Sequence, residues 1–213
     1  MMEVMDTDEA TSLLLDRLRR GDHQALGELF ALHRERLGRM VQMRLDRRLY
    51  GRLAAEDILQ DAFLDVARRF GEYVVNPTVP VYVWLRYLTL QRLHQVQRRH
   101  LGAQMRDAGL EVTLNGQAGM SAHCESLAGE LVGHFTSPSQ AAMREELRNQ
   151  LLQALESMDP LDREVLALRH FEELGNNEVA AVLGISKDAA SKRHIRALKR
   201  LRTLLEPYES TDA

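Results

Sequence analysis

The sequence predicts an all-α protein: two small helical domains joined by a flexible linker, with a helix-turn-helix near the C-terminus. Three observations carry this. Apolar residues recur at three- and four-residue spacing through most of the chain. Leu, Ala, Arg and Glu are plentiful while aromatics are only 5% of residues, a balance that favours helix over sheet. The stretch from Gly102 to Thr136 lacks periodicity and is too long for an ordinary connection inside one domain.

Met1 to Ala10 is acidic and lacks the basic-then-apolar order of a signal peptide, so residues 1–11 are expected to be a disordered tail. From Ser12 the pattern turns helical. Leu14, Leu15 and Leu18 form one stripe, and Gly21-Asp22 ends that helix and can start the next. Leu26, Leu29, Phe30, Leu37, Met40 and Val41 continue the pattern. Ala54 to Phe70 reads as an amphipathic helix with Leu59, Phe63, Val66 and Phe70 inward. Gly71 to Pro80 is a loop containing Asn76-Pro77, and a long helix follows from about Val81 to about Met105.

Residues 12–105 form the expected first domain, 106–136 the linker, 137–206 the second domain and 207–213 a tail. The second domain opens on Ser137-Pro138-Ser139-Gln140, a capping-box start, and Asp159-Pro160 begins another helix in the same manner. Asn177 to Leu183 and Ser186 to Leu205 complete four helices.

Composition excludes several classes. Hydrophobic residues make up 45% and charged residues 28% of the 213-residue chain, an ordinary globular balance. No apolar run approaches a membrane span. The single cysteine, Cys124, allows no internal disulfide and fits a reducing cytoplasm. The net charge of −3 runs against a stand-alone DNA binder. The local distribution matters more: arginine outnumbers the acids from Ser12 to Gly102. From Lys187 to Arg202 only Asp188 opposes a run of lysines and arginines.

The segment Glu178-Val-Ala-Ala-Val-Leu-Gly-Ile-Ser186 is the most specific local signal. Val179, Leu183 and Ile185 supply apolar contacts, and Ala180 is small where two helices cross. Gly184 permits the turn, and Ser186 can cap the next helix. That helix presents Lys187, Ser191, Lys192, Arg193, Arg196, Lys199 and Arg200, while Ala190, Ala197, Leu198, Leu201 and Leu205 form its inward stripe. Lys187, Ser191 and Lys192 suit base edges; Arg193, Arg196 and Lys199 suit bases or phosphates. A solvated basic helix in a bundle would share the charge but not the coincidence of turn, cap and small residue. His194 adjoins the inward stripe and is expected to be packed.

Two further constellations lie in the first domain. Asp57, Gln60 and Asp61 share one helical face opposite Leu59 and Phe63, a pattern that by itself reads as a solvated surface. Trp84, Tyr87 and Gln91 lie among Arg86, Arg92, Arg98 and Arg99, with no acid between Arg86 and Arg106. Aromatics beside arginines suit unstacked bases and a phosphate track, although Trp84 could equally be core.

Taken together these motifs resemble the extracytoplasmic-function sigma factors, the small two-domain members of the sigma-70 family of bacterial RNA polymerase. The resemblance rests on Asp159-Pro-Leu-Asp-Arg-Glu-Val-Leu-Ala-Leu-Arg169, the helix-turn-helix and Arg196-Ala-Leu-Lys-Arg-Leu-Arg202. It also rests on Ala55-Glu-Asp-Ile-Leu-Gln-Asp-Ala-Phe-Leu64 and on Trp84-Leu-Arg-Tyr-Leu88 through Arg98-Arg99. It spans roughly Ser12 to Leu205.

The resemblance implies that residues 12–105 are region 2 and residues 137–206 region 4. It implies polymerase docking by Asp57, Gln60 and Asp61, and promoter melting around Trp84, Tyr87 and Gln91. It implies DNA contact by Arg86, Arg98, Arg99 and the helix from Lys187. The implied partners are core RNA polymerase, promoter DNA and an anti-sigma factor, with no membrane, small-molecule substrate or cofactor. Gln91 and Gln95 stand where many relatives carry Asn and Asp, Asn176-Asn177 replaces a Ser-containing start, and His194 replaces a common Leu.

The alternative is an operator-binding regulator acting as a dimer, which shares the recognition helix but predicts palindromic half-sites. An enzyme lacks support, because no phosphate loop or nucleophile elbow is present. His123, Cys124 and His134 lack a fourth partner for a metal, so no metal site is expected.

Overall fold

The computed structural model describes residues 7–101, 127–128 and 141–209. Among them the secondary structure is helical throughout. The N-terminal helices are α1 (Thr7–Arg19), α2 (Gln24–Arg44), α3 (Ala55–Val75) and α4 (Val81–Leu101), with a short 3-10 turn at Arg47–Leu49. The C-terminal helices are α5 (Ala141–Ser157), α6 (Pro160–His170), α7 (Asn176–Leu183) and α8 (Lys187–Glu209).

The all-α expectation and the helix-turn-helix are present, with shifted boundaries. Helix α1 begins at Thr7, inside the expected tail, because Ala10 is buried and the Thr11 hydroxyl bonds back to the Thr7 carbonyl at 2.7 Å. Helix α3 runs to Val75 rather than Phe70, since Tyr73 is also buried and its hydroxyl donates to the Val79 carbonyl at 2.8 Å. Helix α8 continues to Glu209, past the expected Leu205 and into the expected tail. The Ser137-Pro138 helix start and most of the linker lie outside the described residues.

Helix α1 packs on α2, α2 on α3 and α4, and α3 on α4. Leu29, Leu37, Met40, Val41, Ala62, Val66, Leu85 and Leu93 are fully or almost fully buried between them. Each such leucine contributes on the order of 2 kcal/mol by leaving water. Phe30 meets Phe63 edge-on at 5.2 Å between ring centroids. In the second half, α8 packs across α5, α6 and α7. Asp159 accepts from Leu161 N at 2.9 Å and from Asp162 N at 3.4 Å, so the expected cap of α6 forms.

The two halves touch. Helix α7 packs on α4, and one continuous apolar cluster includes Leu85 and Leu88 with Val165, Leu168, Leu174 and Val179. Met43 joins a second cluster with Leu151, Leu155, Leu166 and Phe171. Leu127 and Ala128 belong to that cluster and are helical and fully buried, so this part of the expected linker packs against both halves. An aperiodic stretch of sequence conceals two anchor residues because their burial is decided by distant helices.

Helix α4 is consequently covered on more than one side. Val81, Tyr82, Val83, Leu85, Arg86, Leu88, Thr89 and Leu90 are all buried. An amphipathic helix with one free face would show position 86 to solvent; a helix gripped from two sides does not.

Candidate nucleic-acid interface

The turn between α7 and α8 follows from local chemistry. Gly184 sits at φ +64, a left-handed conformation that a Cβ would penalise. Ile185 N donates to the Ala180 carbonyl at 3.0 Å, closing the end of α7. Ser186 Oγ accepts from Ala189 N at 3.2 Å and caps α8. Asn176 Nδ2 donates to the Lys187 carbonyl at 2.9 Å, a brace between the starts of the two helices. Gly175 N donates to Glu178 Oε2 at 2.8 Å, so the glycine start of α7 is closed by a side chain reaching back.

These constraints leave Lys187, Ser191, Lys192, Arg196 and Lys199 exposed along one side of α8, with Ala190 and Ala197 buried opposite; Leu198, expected in the inward stripe, is instead 39% exposed. Arg193 differs. It is half-buried and donates to Asp162 Oδ1 at 2.7 Å, with Asp159 Oδ1 at 3.4 Å. His194 packs against His170, the ring nitrogens Nε2 lying 3.0 Å apart. Burial, and for His194 also the neighbouring His170, pushes both imidazoles below their usual range.

On the N-terminal half, Arg98 and Arg99 are exposed in the last turn of α4. Tyr87 is exposed, and Gln91 Nε2 donates to its hydroxyl at 2.7 Å. Arg69 Nη1 reaches Gln91 Oε1 at 3.4 Å and joins this cluster from α3. Sequence reading passed over Arg69, because its proximity depends on how α3 crosses α4. Trp84 stacks on Tyr73 at 4.7 Å and meets Phe70 edge-on at 6.1 Å, so it is a half-buried prop beneath the proline-containing loop.

Arg86 departs most from expectation. It is 2% exposed and turned inward, away from Tyr87 and toward Glu172, which it meets through Nε to Oε2 at 2.5 Å. In this arrangement its guanidinium is not offered to solvent.

A third surface lies on α3. Asp57 and Gln60 are exposed and Asp61 is half-exposed, 3.9 Å from Arg92. Leu64, one turn further, is 52% exposed and adds an apolar spot to the same stripe. Between α2 and α3 runs a groove of about 440 Å³ lined by Gly27, Phe30, Ala31, Arg34, Gln60, Phe63 and Leu64. Arg34 closes one side by pairing with Glu56 at 2.6 Å. The α2 wall of this groove was not legible beforehand, since Gly27 and Ala31 carry no chemical signature. Among the described residues no cluster of three or more metal-ligating side chains occurs, and no helix is long and apolar enough to cross a membrane.

Comparison with known proteins gives these surfaces a context. Residues 154–203 match the family described as Sigma-70, region 4. The RNA polymerase sigma factor CarQ of Myxococcus xanthus is 31% identical over 200 residues, covering 92% of this chain and 97% of that protein. The RNA polymerase sigma-H factor of Pseudomonas aeruginosa is 25% identical and covers 95% of this chain and 97% of its own length. Among solved structures, CnrH in complex with the cytosolic domain of CnrY shares the fold with a TM-score of 0.52 at 21% identity. That match covers 96% of this chain and 99% of that one.

Proposed function

We infer the work of these surfaces from one premise: this chain belongs to the extracytoplasmic-function sigma factors of the sigma-70 family. It is an alternative sigma factor that binds core RNA polymerase and directs promoter-specific transcription initiation. The similarity to CarQ along almost the whole chain is the observation that carries this, because a conventional regulator would share only the helix-turn-helix. The operator-binding dimer is accordingly not favoured.

In our reading, residues 12–105 act as region 2 and residues 137–206 as region 4. The exposed side of α8 reads the upstream promoter element. Lys187, Ser191 and Lys192 face base edges, and Arg196 and Lys199 neutralise phosphates. Asp57, Gln60 and Asp61 dock on polymerase. The exposed Leu64 and the adjoining groove support this, since an apolar spot within a polar stripe suits a partner better than solvent. Tyr87, Gln91, Arg98 and Arg99 serve promoter opening, with Trp84 shaping the loop beside them; Arg86, buried against Glu172, is not among the exposed groups.

The factor performs no bond chemistry of its own; polymerase does, in the cytoplasm. The net charge of −3 is then intelligible, because polymerase makes several weak DNA grips act together.

The test is a core-polymerase pull-down followed by mapping of transcription start sites with the purified factor. Wild type should assemble and yield a consistent upstream element. Asp61→Lys should lose assembly while keeping its helical circular dichroism. Normal assembly by Asp61→Lys would remove the docking assignment, and the absence of any directed start site would remove the functional one.

A further inference from the structure

The C-terminal half brings together two histidines that the functional reading above does not use. His170 is the last residue of α6, and His194 lies about two turns into α8. Their Nε2 atoms stand 3.0 Å apart, while the ring centroids are 5.1 Å apart and the planes inclined at 40°. The centroids are much further apart than the nitrogens, so the rings meet edge to edge through Nε2 and not face to face.

This contact has room for one proton. With a proton on each Nε2, two N–H donors would face each other without an acceptor; with none, two lone pairs would. One imidazole therefore donates and the other accepts. A metal ion can stand in the proton's place. On loading, the donor ring moves its proton to Nδ1, both Nε2 lone pairs turn to the ion, and no net proton is released.

We propose that His170 and His194 form a binding site for a late first-row divalent metal ion of the copper(II) or nickel(II) kind, held by the two Nε2 atoms and completed by water. The ion bridges α6 and α8 and braces the scaffold of the helix-turn-helix.

The spacing supports this. Two nitrogens ~2.0–2.1 Å from one ion stand about 2.9 Å apart at a right angle and about 3.3 Å apart at the tetrahedral angle. The observed 3.0 Å is close to the right angle, which copper(II) and nickel(II) adopt in tetragonal sites.

Access supports it as well. His170 is exposed and His194 half-buried, so an ion can arrive from solvent and keep water in its other positions. Among the described residues no third histidine, cysteine or carboxylate joins the pair, which makes the ion exchangeable rather than permanently caged.

The ligands are also held in place beforehand. Arg193, beside His194, donates to Asp162 Oδ1 on α6 at 2.7 Å and ties the same two helices together. Two ligands on helices already packed lose little freedom on binding. His170 ends α6, where the helix dipole favours a cation. Arg169 opposes a cation there, although its Nη1 is turned to the Leu174 carbonyl at 2.7 Å. The balance selects an ion with strong affinity for imidazole over calcium or magnesium, which take oxygen ligands.

The test uses the full chain stripped with chelator and carrying Cys124→Ser, which removes the only thiol. Copper(II) chloride is the probe, followed by calorimetry and electron paramagnetic resonance. Other histidines also take copper, so the readout is the difference from two variants. His194→Leu fills a half-buried position with an apolar side chain of comparable size, and His170→Gln keeps a polar group at an exposed one. Each should lose one equivalent of copper and the resonance signal of two coupled imidazole nitrogens, and the double variant should lose no more. Saturating copper should raise the Tm of the parent chain by about 5 °C, a shift both variants lose. If circular dichroism shows His194→Leu to be unfolded, His194→Gln takes its place. Equal copper uptake by the parent and both variants would overturn the site. Loss of the equivalent in one variant only would do the same, since a lone surface imidazole would then be the ligand. None of these readouts uses promoter or polymerase, so the site stands or falls apart from the proposed function.

Discussion

Arg193 donates to Asp162 Oδ1 at 2.7 Å, and this bond turns a side chain of α8 back toward the scaffold. Lys192, its neighbour in sequence, is exposed. Two adjacent cations on one helix are therefore in different states. Asp162→Asn should release Arg193 to the DNA side. Holoenzyme binding to promoter DNA, followed by fluorescence anisotropy across a salt series, should then steepen by about one unit in the slope of log affinity against log salt. An unchanged slope would mean that Arg193 serves only to brace α6 against α8.

Lys192→Ala tests the exposed neighbour. It should weaken promoter binding by about 1–3 kcal/mol and relax discrimination at one base pair if Lys192 meets a base edge. If it meets phosphate, the loss should be uniform across sequences and accompanied by a shallower salt slope. In either case assembly with core polymerase should be unaltered in a pull-down. A loss of assembly would show that α8 also touches the polymerase.

Gly184→Ala isolates the cost of the turn. No heavy atom outside Gly184 and its two chain neighbours lies within 4 Å of where the new Cβ would stand, so the substitution meets only backbone strain at φ +64. Chemical denaturation should show a loss of about 1–2 kcal/mol. Gly184→Asn should lose less, because Asn tolerates the left-handed region better.

His33 should make the N-terminal half acid-sensitive. Its ring packs 5.4 Å from that of Tyr82, and burial, with Arg36 nearby, lowers its pKa from 6.5 to about 4. A depressed histidine pKa means that the unfolded chain binds the proton more readily. The contribution is thus complete above pH 6.5 and is lost as pH falls through 4. The loss between pH 7 and pH 4 is on the order of 3 kcal/mol. Urea denaturation of wild type and His33→Phe across this range should show a shallower pH dependence in the variant. Equal slopes would assign the acid sensitivity to other groups.

Trp84 separates a packing role from a base-stacking role. Trp84→Ala should cost on the order of 2 kcal/mol of stability by removing the stack on Tyr73. Trp84→Phe should restore most of that stability. If Trp84→Phe restores stability but promoter opening, followed by permanganate reactivity of thymines, remains impaired, the indole contributes to melting as well as to packing.

The helix-turn-helix was readable because its chemistry is local. The turn at Gly184, the cap at Ser186 and the cap at Asp159 each depend on residues within a few positions, and each forms as the sequence implies. The exposed side of α8 was readable for the same reason, since periodicity alone separates Lys187, Ser191 and Lys192 from Ala190 and Ala197. The exposed stripe of Asp57 and Gln60 on α3 followed likewise.

Arg86, Arg69 and Leu127 were not readable in this way. Periodicity around Arg86 cannot show that a second domain covers α4, so an arginine expected beside Tyr87 in solvent is instead buried against Glu172. Arg69 reaches Gln91 only because α3 crosses α4 at that level. Leu127 anchors a stretch that reads as linker because its partners Met43 and Leu155 are far away in sequence.

By itself, then, the sequence determined the helices, the turn, the caps and the exposed cations of α8, all of them properties of a few neighbouring residues. Only the tertiary structure decided which charges meet across the two halves. A guanidinium is equally at home in water or on a carboxylate, and the choice depends on what the rest of the chain brings within about 3 Å of it.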